Sequence, residues 1–249
     1  MKEIRHSWNS LSIDEKCQYT MPKEDSVEEK GHLEEASEDN KVPPFDTRCT
    51  PVRLSEIVST LSDLQKAAVR DLGFANLLVS KCGRLRRDIC GWLLSKFDTT
   101  NFSLELHGKK FNLDPSVFAH VMGISDGGEI VQLEGDLNDL WSSKFCISTR
   151  GIKLPHLEQK LKNMKTADDD FKITWCLYLL GTLLAPAAGQ YVDARYLNVL
   201  SDVNNIRRKN WATWCFDQFV CGVHKFNSTK SKYITGCLLF LQVRIILVI

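Results

Sequence analysis

Several patterns that would point directly to a function are missing from this sequence of 249 residues. It contains no CxxC pair, no glycine-rich loop ending in Gly-Lys-Ser or Gly-Lys-Thr, and no internal repeat. These absences argue against a zinc site built on paired cysteines, a phosphate-binding loop and a repeat architecture. The first residues also lack the apolar run of a secretory signal.

Charge is nearly balanced overall but unevenly distributed. The formal net charge is +1, yet residues 1–45 have a balance of −5 and the remainder a balance of +6. An acidic leader on a mildly basic body is compatible with a nuclear protein, and also with a cytoplasmic one. The nine cysteines are irregularly spaced. We therefore expect reduced thiols that pack as small apolar side chains.

The composition divides the chain near Phe45. Residues 1–45 are rich in Glu, Ser, Lys and Asp and poor in aromatics, so they are predicted to be a disordered acidic leader. Such a segment cannot bury enough apolar area to offset the entropy lost on ordering. Residues 46–249 are predicted to form one helical domain, because 43% of the whole chain is hydrophobic and its length supports a sizeable core.

Apolar spacing and capping residues predict the helices. Thr50-Pro51 has the pattern of an N-cap before a proline, and Ser62–Gln65 that of a capping box. Trp92 lies on the apolar stripe of a third helix, and Trp175 lies in a helix that is apolar almost all round, so both are predicted to be core residues. Further helices are predicted after Asp114, after Pro155, from Trp211 to Val223, and from about Tyr233.

One segment has the period of a strand. Phe102, Leu104 and Leu106 alternate with polar residues, His107-Gly108-Lys109 supplies a turn, and Lys110–Leu113 returns. The predicted fold class is therefore mainly α. It comprises a single multi-helix domain with one small β-hairpin and the disordered acidic N-terminal leader.

The order of several segments carries a resemblance to a known family. These segments are RCTPVRLSEIVSTLSDLQKAAVRDLGFANLL, LRRDICGWLLSKFD, LDPSVFAHVMGISDGG, FKITWCLYLLGTLLAP, NNIRRKNWATW and YITGCLLFLQ. From about Cys49 to Gln242 the chain resembles a plant-specific family encoded in transposon-derived genes. In that family a helical domain of unknown function often precedes a ubiquitin-like-protease (SUMO-protease-type) cysteine peptidase domain. The chain is also distantly similar to the aminotransferase-like plant mobile domain. The resemblance implies a plant nuclear protein and supplies no catalytic residue.

No motif assembles groups for catalysis or metal binding. A cysteine peptidase needs a thiolate, a base and a group that orients the base, and no histidine here has such a sequence context. The best metal-like cluster is Cys215, Cys221 and His224, which lacks a second ligand pair at a useful spacing. We interpret these residues as buried thiols near a surface histidine. We predict no catalytic residue, no metal and no cofactor.

Two basic clusters are the candidate binding residues. The first is Arg84, Arg86 and Arg87, before an apolar helix face; the second is Arg207, Arg208 and Lys209, beside Trp211. An arginine beside an exposed aromatic suits single-stranded nucleic acid. In the alternative interpretation the basic residues are a solvated helix start and the tryptophan points inward. Any nucleic-acid binding is expected to be weak and non-specific, and no membrane association is expected.

The expected function is a non-catalytic interaction domain that binds a protein partner which the sequence does not identify. Two alternatives stay open. In the first, the chain is the N-terminal part of a ubiquitin-like-protease family cysteine peptidase whose catalytic domain is missing here. In the second, it is a weak, non-specific nucleic-acid-binding module.

The C-terminal residues Val243–Ile249 are expected not to belong to the natural domain, which we expect to continue past Gln242. They are aliphatic apart from Arg244, and relatives continue differently after GCLLFLQ. Gln-Val-Arg can be encoded by CAGGTAAGA, which has the pattern of a splice donor. A membrane anchor is the rival interpretation. However, residues 234–249 are shorter than the roughly 20 apolar residues of a membrane span.

Overall fold

The structure is a computed structural model that describes residues 12, 17, 44–79, 83–137, 139–229 and 231–246. The predicted disordered leader therefore lies outside the described residues, apart from Ser12, Cys17, Pro44 and Phe45. No helix in the described part of the chain is long and apolar enough to cross a membrane.

Helices dominate the described chain, which confirms the predicted mainly α class with its small hairpin. The helices are α1 (Pro51–Thr60), α2 (Asp63–Asp71), α3 (Ala75–Val79), α4 (Arg87–Ser95), α5 (Pro115–Met122), α6 (Asp139–Phe145), α7 (Leu154–Asn163), α8 (Asp169–Leu179), α9 (Tyr196–Leu200), α10 (Trp211–Thr229) and α11 (Leu238–Ile246). A π-helix, Leu180–Leu184, continues α8, and a 3-10 helix, Val203–Arg208, precedes α10. The strands are β1 (Asp46–Thr47), β2 (Phe97–Asp98), β3 (Ser103–Leu106), β4 (Lys109–Asn112), β5 (Ile152–Lys153), β6 (Tyr191–Val192) and β7 (Tyr233–Ile234).

Helix α8 lies at the centre of the core. Asp168 caps it, because its side chain accepts a hydrogen bond from the Phe171 N–H at 3.0 Å. From Ile173 to Leu179 every side chain of the helix is buried, and Trp175 is 0% exposed. Helices α2, α7 and α9 pack around it. The prediction that Trp175 is a core residue is confirmed.

Helix α7 is joined to α1 and α8 by a partly buried polar cluster around Glu158. Its carboxylate accepts hydrogen bonds from Arg53 of α1 and from Lys162. The Tyr178 hydroxyl of α8 donates to the Arg53 carbonyl oxygen at 3.3 Å. Partial burial by itself raises the pKa of Glu158, but the hydrogen bonds from Lys162 and Arg53 outweigh it and hold that pKa below its ordinary value. The ionised carboxylate therefore stabilises this junction.

Aromatic rings form a second packed region where α5, α10 and α11 meet. The Phe118 and Phe240 ring centroids are 4.9 Å apart, and Phe219 lies 5.7 Å from Phe240. Phe97 of β2 joins this cluster at 5.5 Å from Phe219. Because β2 pairs antiparallel with β3, and β3 with β4, the aromatic cluster also fixes the position of the hairpin. The hairpin prediction is confirmed, with β2 as an additional strand.

The last helix begins later than the sequence pattern indicated. Tyr233–Ile234 is a strand that pairs in parallel with β1, so the predicted start near Tyr233 is wrong and α11 begins at Leu238. Gly236 makes this junction possible. Its φ is 83°, and a Cβ there would lie 2.4 Å from the Phe219 Cα. This parallel pairing joins residues 187 positions apart in the chain, beyond the reach of local periodicity.

The C-terminal helix continues past Gln242. Ile245 is 8% exposed and belongs to the core, and Val243 packs against that core. Residues 247–249 lie outside the described residues. The expectation that Val243–Ile249 do not belong to the natural domain, which would continue differently past Gln242, stays a prediction.

Trp92 is not a core residue, contrary to the prediction. Its side chain is 43% exposed. The buried stripe of α4 consists of Cys90, Leu93 and Leu94. Cys90 points inward as a small apolar side chain, so the buried face of α4 is centred on Cys90, Leu93 and Leu94. Trp92 therefore lies on the opposite, solvent-facing side of the helix.

The expectation that all cysteines are reduced is also wrong. Cys17 and Cys221 form a disulfide across 204 residues of sequence. Among the free cysteines that the structure describes, Cys146 is exposed and the others are buried in the core, as expected for small apolar side chains.

Trp175→Ala is expected to lower the free energy of unfolding by about 3–5 kcal/mol, because it leaves a cavity in the core. For a domain of this size the melting temperature should fall by roughly 6–20 °C. Trp92→Ala is the matched control, and its half-exposed ring should give a clearly smaller drop. Equal melting temperatures for the wild type and Trp175→Ala would show that α8 does not carry the core.

Glu158→Gln is expected to destabilise the protein at pH 7, because the amide replaces the charged acceptor of the hydrogen bonds from Arg53 and Lys162. The loss should be on the order of 1–2 kcal/mol, because Arg53 is partly exposed and solvent screens its charge. A carboxyl group whose pKa is lowered by folding contributes stability above its unfolded pKa, and that contribution disappears as the pH falls below about 4.5. The gap between wild-type and variant melting temperatures should therefore close between pH 5 and pH 3. Glu56→Gln, on the exposed side of α1, is the control and should show no comparable gap.

Candidate functional site

Helix α4 presents one face to solvent. Asp88, Trp92 and Ser95 follow one another at helical spacing on that face, and all three are exposed. The opposite face packs against α11. The start of α4 is tied to the same helix, because the Arg86 N–H donates to the Gln242 side chain at 2.7 Å. Contacts with α11 along one face and at its start therefore position the helix that carries the Trp92 ring.

The hairpin tip lies beside Trp92. His107 and Gly108 form the two-residue turn between β3 and β4, with φ values of 49° and 72°. Positive φ at both central residues is the geometry of a type I′ turn, and glycine favours it at the second position. The His107 and Trp92 rings lie 6.4 Å apart, centroid to centroid. Two aromatic side chains from different elements thus share one exposed patch.

An open groove of ≈ 460 Å³ separates the C-terminal end of α4 from the hairpin. Its polar lining consists of Ser95, Lys96, Asp98, Glu105 and His107. We call Trp92 together with this groove the Trp92 surface. It combines an apolar ring with hydrogen-bonding groups.

The groove carries charge of both signs. A hydrogen bond from the Asn101 side chain, together with the Asn101 and Thr100 backbone N–H groups, lowers the pKa of Asp98. Glu105 faces Lys110 across the β3–β4 pair. The Ser95 hydroxyl donates to the Trp92 carbonyl oxygen at 2.7 Å, so it is a hydrogen-bonded surface group rather than a nucleophile paired with a base. The groove therefore offers charged and hydrogen-bonding groups of both kinds, donors and acceptors.

The first basic cluster is partly neutralised. Arg86 forms an ion pair with Asp88 at 2.7 Å and lowers the pKa of that carboxyl to about 2. Arg87 contacts Asp46 at 3.0 Å. Arg84 is exposed and has no ion pair with the residues that the structure describes. Arg84 and Arg86 precede the helix that carries the exposed Trp92, and Arg87 is its first residue.

The second basic cluster has a different environment. Lys209 forms an ion pair with Glu129 at 2.8 Å, whereas Arg207 and Arg208 are exposed with no ion pair in the described part of the chain. Trp211 is 3% exposed, and its Nε1–H donates to the Ile206 carbonyl oxygen at 2.8 Å. The inward interpretation of this tryptophan is therefore confirmed.

The cysteines of the Cys215, Cys221 and His224 group, interpreted from the sequence as buried thiols near a surface histidine, are not free thiolate ligands in this structure. Cys215 is fully buried, and burial raises the pKa of its thiol. Cys221 is bonded to Cys17 and so cannot act as a thiolate ligand in this state. Among the residues described, no group of three or more His, Cys, Asp or Glu side chains is placed to hold a metal ion.

A family model described as a domain of unknown function, DUF8566, matches residues 47–242. The chain belongs to this family. No curated protein and no solved structure matches it significantly.

The DUF8566 match includes both basic clusters, Trp92, the hairpin and Cys221, whereas Cys17 precedes it. Sequence reasoning missed the Trp92 surface. The sequence places Trp92 on the same helix face as the polar residues Asp88 and Ser95, which indicates an exposed face. The prediction instead followed the general tendency of tryptophan to be buried. The six predicted basic residues remain candidates for nucleic-acid contact within this DUF8566 domain.

Replacing Arg207 and Arg208 by alanine is expected to weaken DNA binding equally for all sequences, because exposed arginines without ion pairs bind phosphate regardless of sequence. The slope of log affinity against log salt should flatten by about 2, one for each lost phosphate contact. The Arg86→Ala, Arg87→Ala double variant is the matched control and should have a smaller effect, since both side chains already pair with carboxylates. Tight binding to one sequence that persists at high salt would contradict this prediction.

Proposed function

We propose that this DUF8566 domain is a non-catalytic interaction domain of a transposon-derived plant nuclear protein, and that a protein partner binds its Trp92 surface. The observation that supports this most strongly is the exposure of Trp92, 43%, on a helix whose other face is packed in the core. Leaving a tryptophan ring in water is unfavourable, and such rings are enriched at binding hot spots.

The surroundings of Trp92 support a protein partner. The ring is held on a helix packed against α11, and a partner would therefore meet a preorganised surface. His107 extends the aromatic patch, and the groove offers carboxylates, a lysine and a hydroxyl for hydrogen bonds at its rim. An apolar centre with a polar rim is the common anatomy of protein interfaces.

The state of the cysteines supports a non-catalytic role for the described residues. A catalytic cysteine requires a lowered pKa together with access to substrate. Burial instead raises the pKa of Cys90 to about 12 and raises those of Cys176 and Cys215 further. The pKa of Cys49 is lowered by its hydrogen bond with Cys237, but Cys49 is only 2% exposed and so lacks access to a substrate. A peptidase domain elsewhere in the parent protein is compatible with this proposal.

Nucleic acid is the second candidate ligand, and the position of Trp92 favours it. Arg84 is exposed without an ion pair among the described residues and lies shortly before the helix of this exposed ring, and positive charge near an aromatic surface suits single strands. Asp98 and Glu105 in the adjoining groove repel phosphate, so a protein partner fits the complete surface better.

The test compares Trp92→Ala and His107→Ala with the wild type in capture of proteins from plant nuclear extract, quantified by mass spectrometry. Leu64→Ala is the matched control, because Leu64 is an exposed apolar residue on α2. Proteins retained by wild type and Leu64→Ala should be lost from Trp92→Ala, and the affinity of the purified partner should fall at least about tenfold. Identical retention by all four proteins would refute a role for this surface.

A further inference from the structure

The Cys17–Cys221 disulfide joins the acidic leader to the helical body. The two Cα atoms are 5.4 Å apart, within the usual range for a disulfide. Cys221 lies in the middle of α10, whereas Cys17 lies within the segment whose charge balance is −5. The bond therefore connects oppositely charged parts of the chain.

The two sulfur positions differ in access. Cys221 is 1% exposed, and Cys17 is only half-buried. A thiol in solution approaches the more accessible sulfur of a disulfide. This difference assigns the two cysteines separate chemical roles, with Cys17 as the point of attack and Cys221 as the leaving thiolate.

We propose that the Cys17–Cys221 bond is a reversible redox tether and that the Cys17 Sγ is its site of exchange with small thiols of the glutathione class. A glutathione thiolate attacks Cys17 Sγ, and a Cys17–glutathione bond forms as the Cys17–Cys221 bond breaks. The electron pair leaves on Cys221 Sγ, which then takes up a proton. A second glutathione thiolate attacks the glutathione sulfur of the mixed disulfide, which releases Cys17 as a thiol and forms oxidised glutathione.

The net reaction reduces one protein disulfide and oxidises two glutathione thiols. The reverse reaction, driven by oxidised glutathione, closes the bond again. In the closed state residue 17 of the acidic leader is covalently fixed to α10 of the body, and in the open state that constraint is removed. The redox poise of the compartment thereby sets whether the leader is tethered.

The experiment uses the full chain equilibrated in buffers of different reduced-to-oxidised glutathione ratio. The protein is then acid-quenched, alkylated in denaturant and digested completely with trypsin. Cys17 falls in tryptic peptide 17–23 and Cys221 in peptide 210–225. We expect the linked pair of peptides under oxidising conditions, and its conversion to two alkylated peptides as the buffer becomes reducing.

Variants test the assignment of roles. In Cys221→Ser the glutathione adduct should accumulate on Cys17, whereas in Cys17→Ser the buried Cys221 should carry several-fold less adduct. Cys146→Ser, which removes the exposed free cysteine found among the described residues, is the matched control and should leave the formation of the linked peptide unchanged.

The proposal is overturned if the wild type gives no linked peptide at any ratio, or if the linked peptide persists unchanged in fully reducing buffer. Equal adduct on Cys17 and Cys221 in the two single variants would overturn the assignment of Cys17 as the exchange site. The measurement on the wild type tests the tether by itself, so the test remains valid even if a variant misfolds.

Discussion

A helix without a polar face has to be surrounded by other elements, and α8 is such a helix. Its buried side chains from Ile173 to Leu179 cannot remain in water, so α2, α7 and α9 cover it. The Glu158 cluster then joins α7 to α1 and α8 with hydrogen bonds that only this arrangement brings together. The aromatic cluster of α5, α10 and α11 extends the same core toward the hairpin.

The position of the Trp92 surface depends on the packing of Phe97 at the edge of that core. Phe97 is drawn into the aromatic cluster, and β2 therefore starts immediately after α4 and brings the hairpin alongside the helix. His107 then lies near Trp92, and the space between the two elements becomes the groove. A partner bound at this surface, as we propose, would require no catalytic motif.

Local patterns predicted the elements well where both periodicity and capping were clear. The capping box at Ser62–Gln65 forms as expected, and Asp114 caps the helix predicted to follow it. Thr50 occupies the N-cap position before Pro51, but its side chain makes no capping hydrogen bond. Trp175 was predicted correctly because its helix is apolar on every side. Trp92 was not, because a stripe can be drawn through Ile89, Trp92 and Leu93 or through Cys90, Leu93 and Leu94, and hydrophobicity alone does not choose between them. The buried position of Cys90 against α11 decides it.

The sequence by itself determined the helical class, the hairpin and the positions of most helices, because these depend on contacts between residues a few positions apart. It also fixed the charge contrast between leader and body. Tertiary structure alone decided the parallel pairing of β1 with β7, the outward position of Trp92 and the joining of Cys17 to Cys221. Each of these depends on which distant segments the folded chain brings together, and periodicity along the sequence carries no information about such distances.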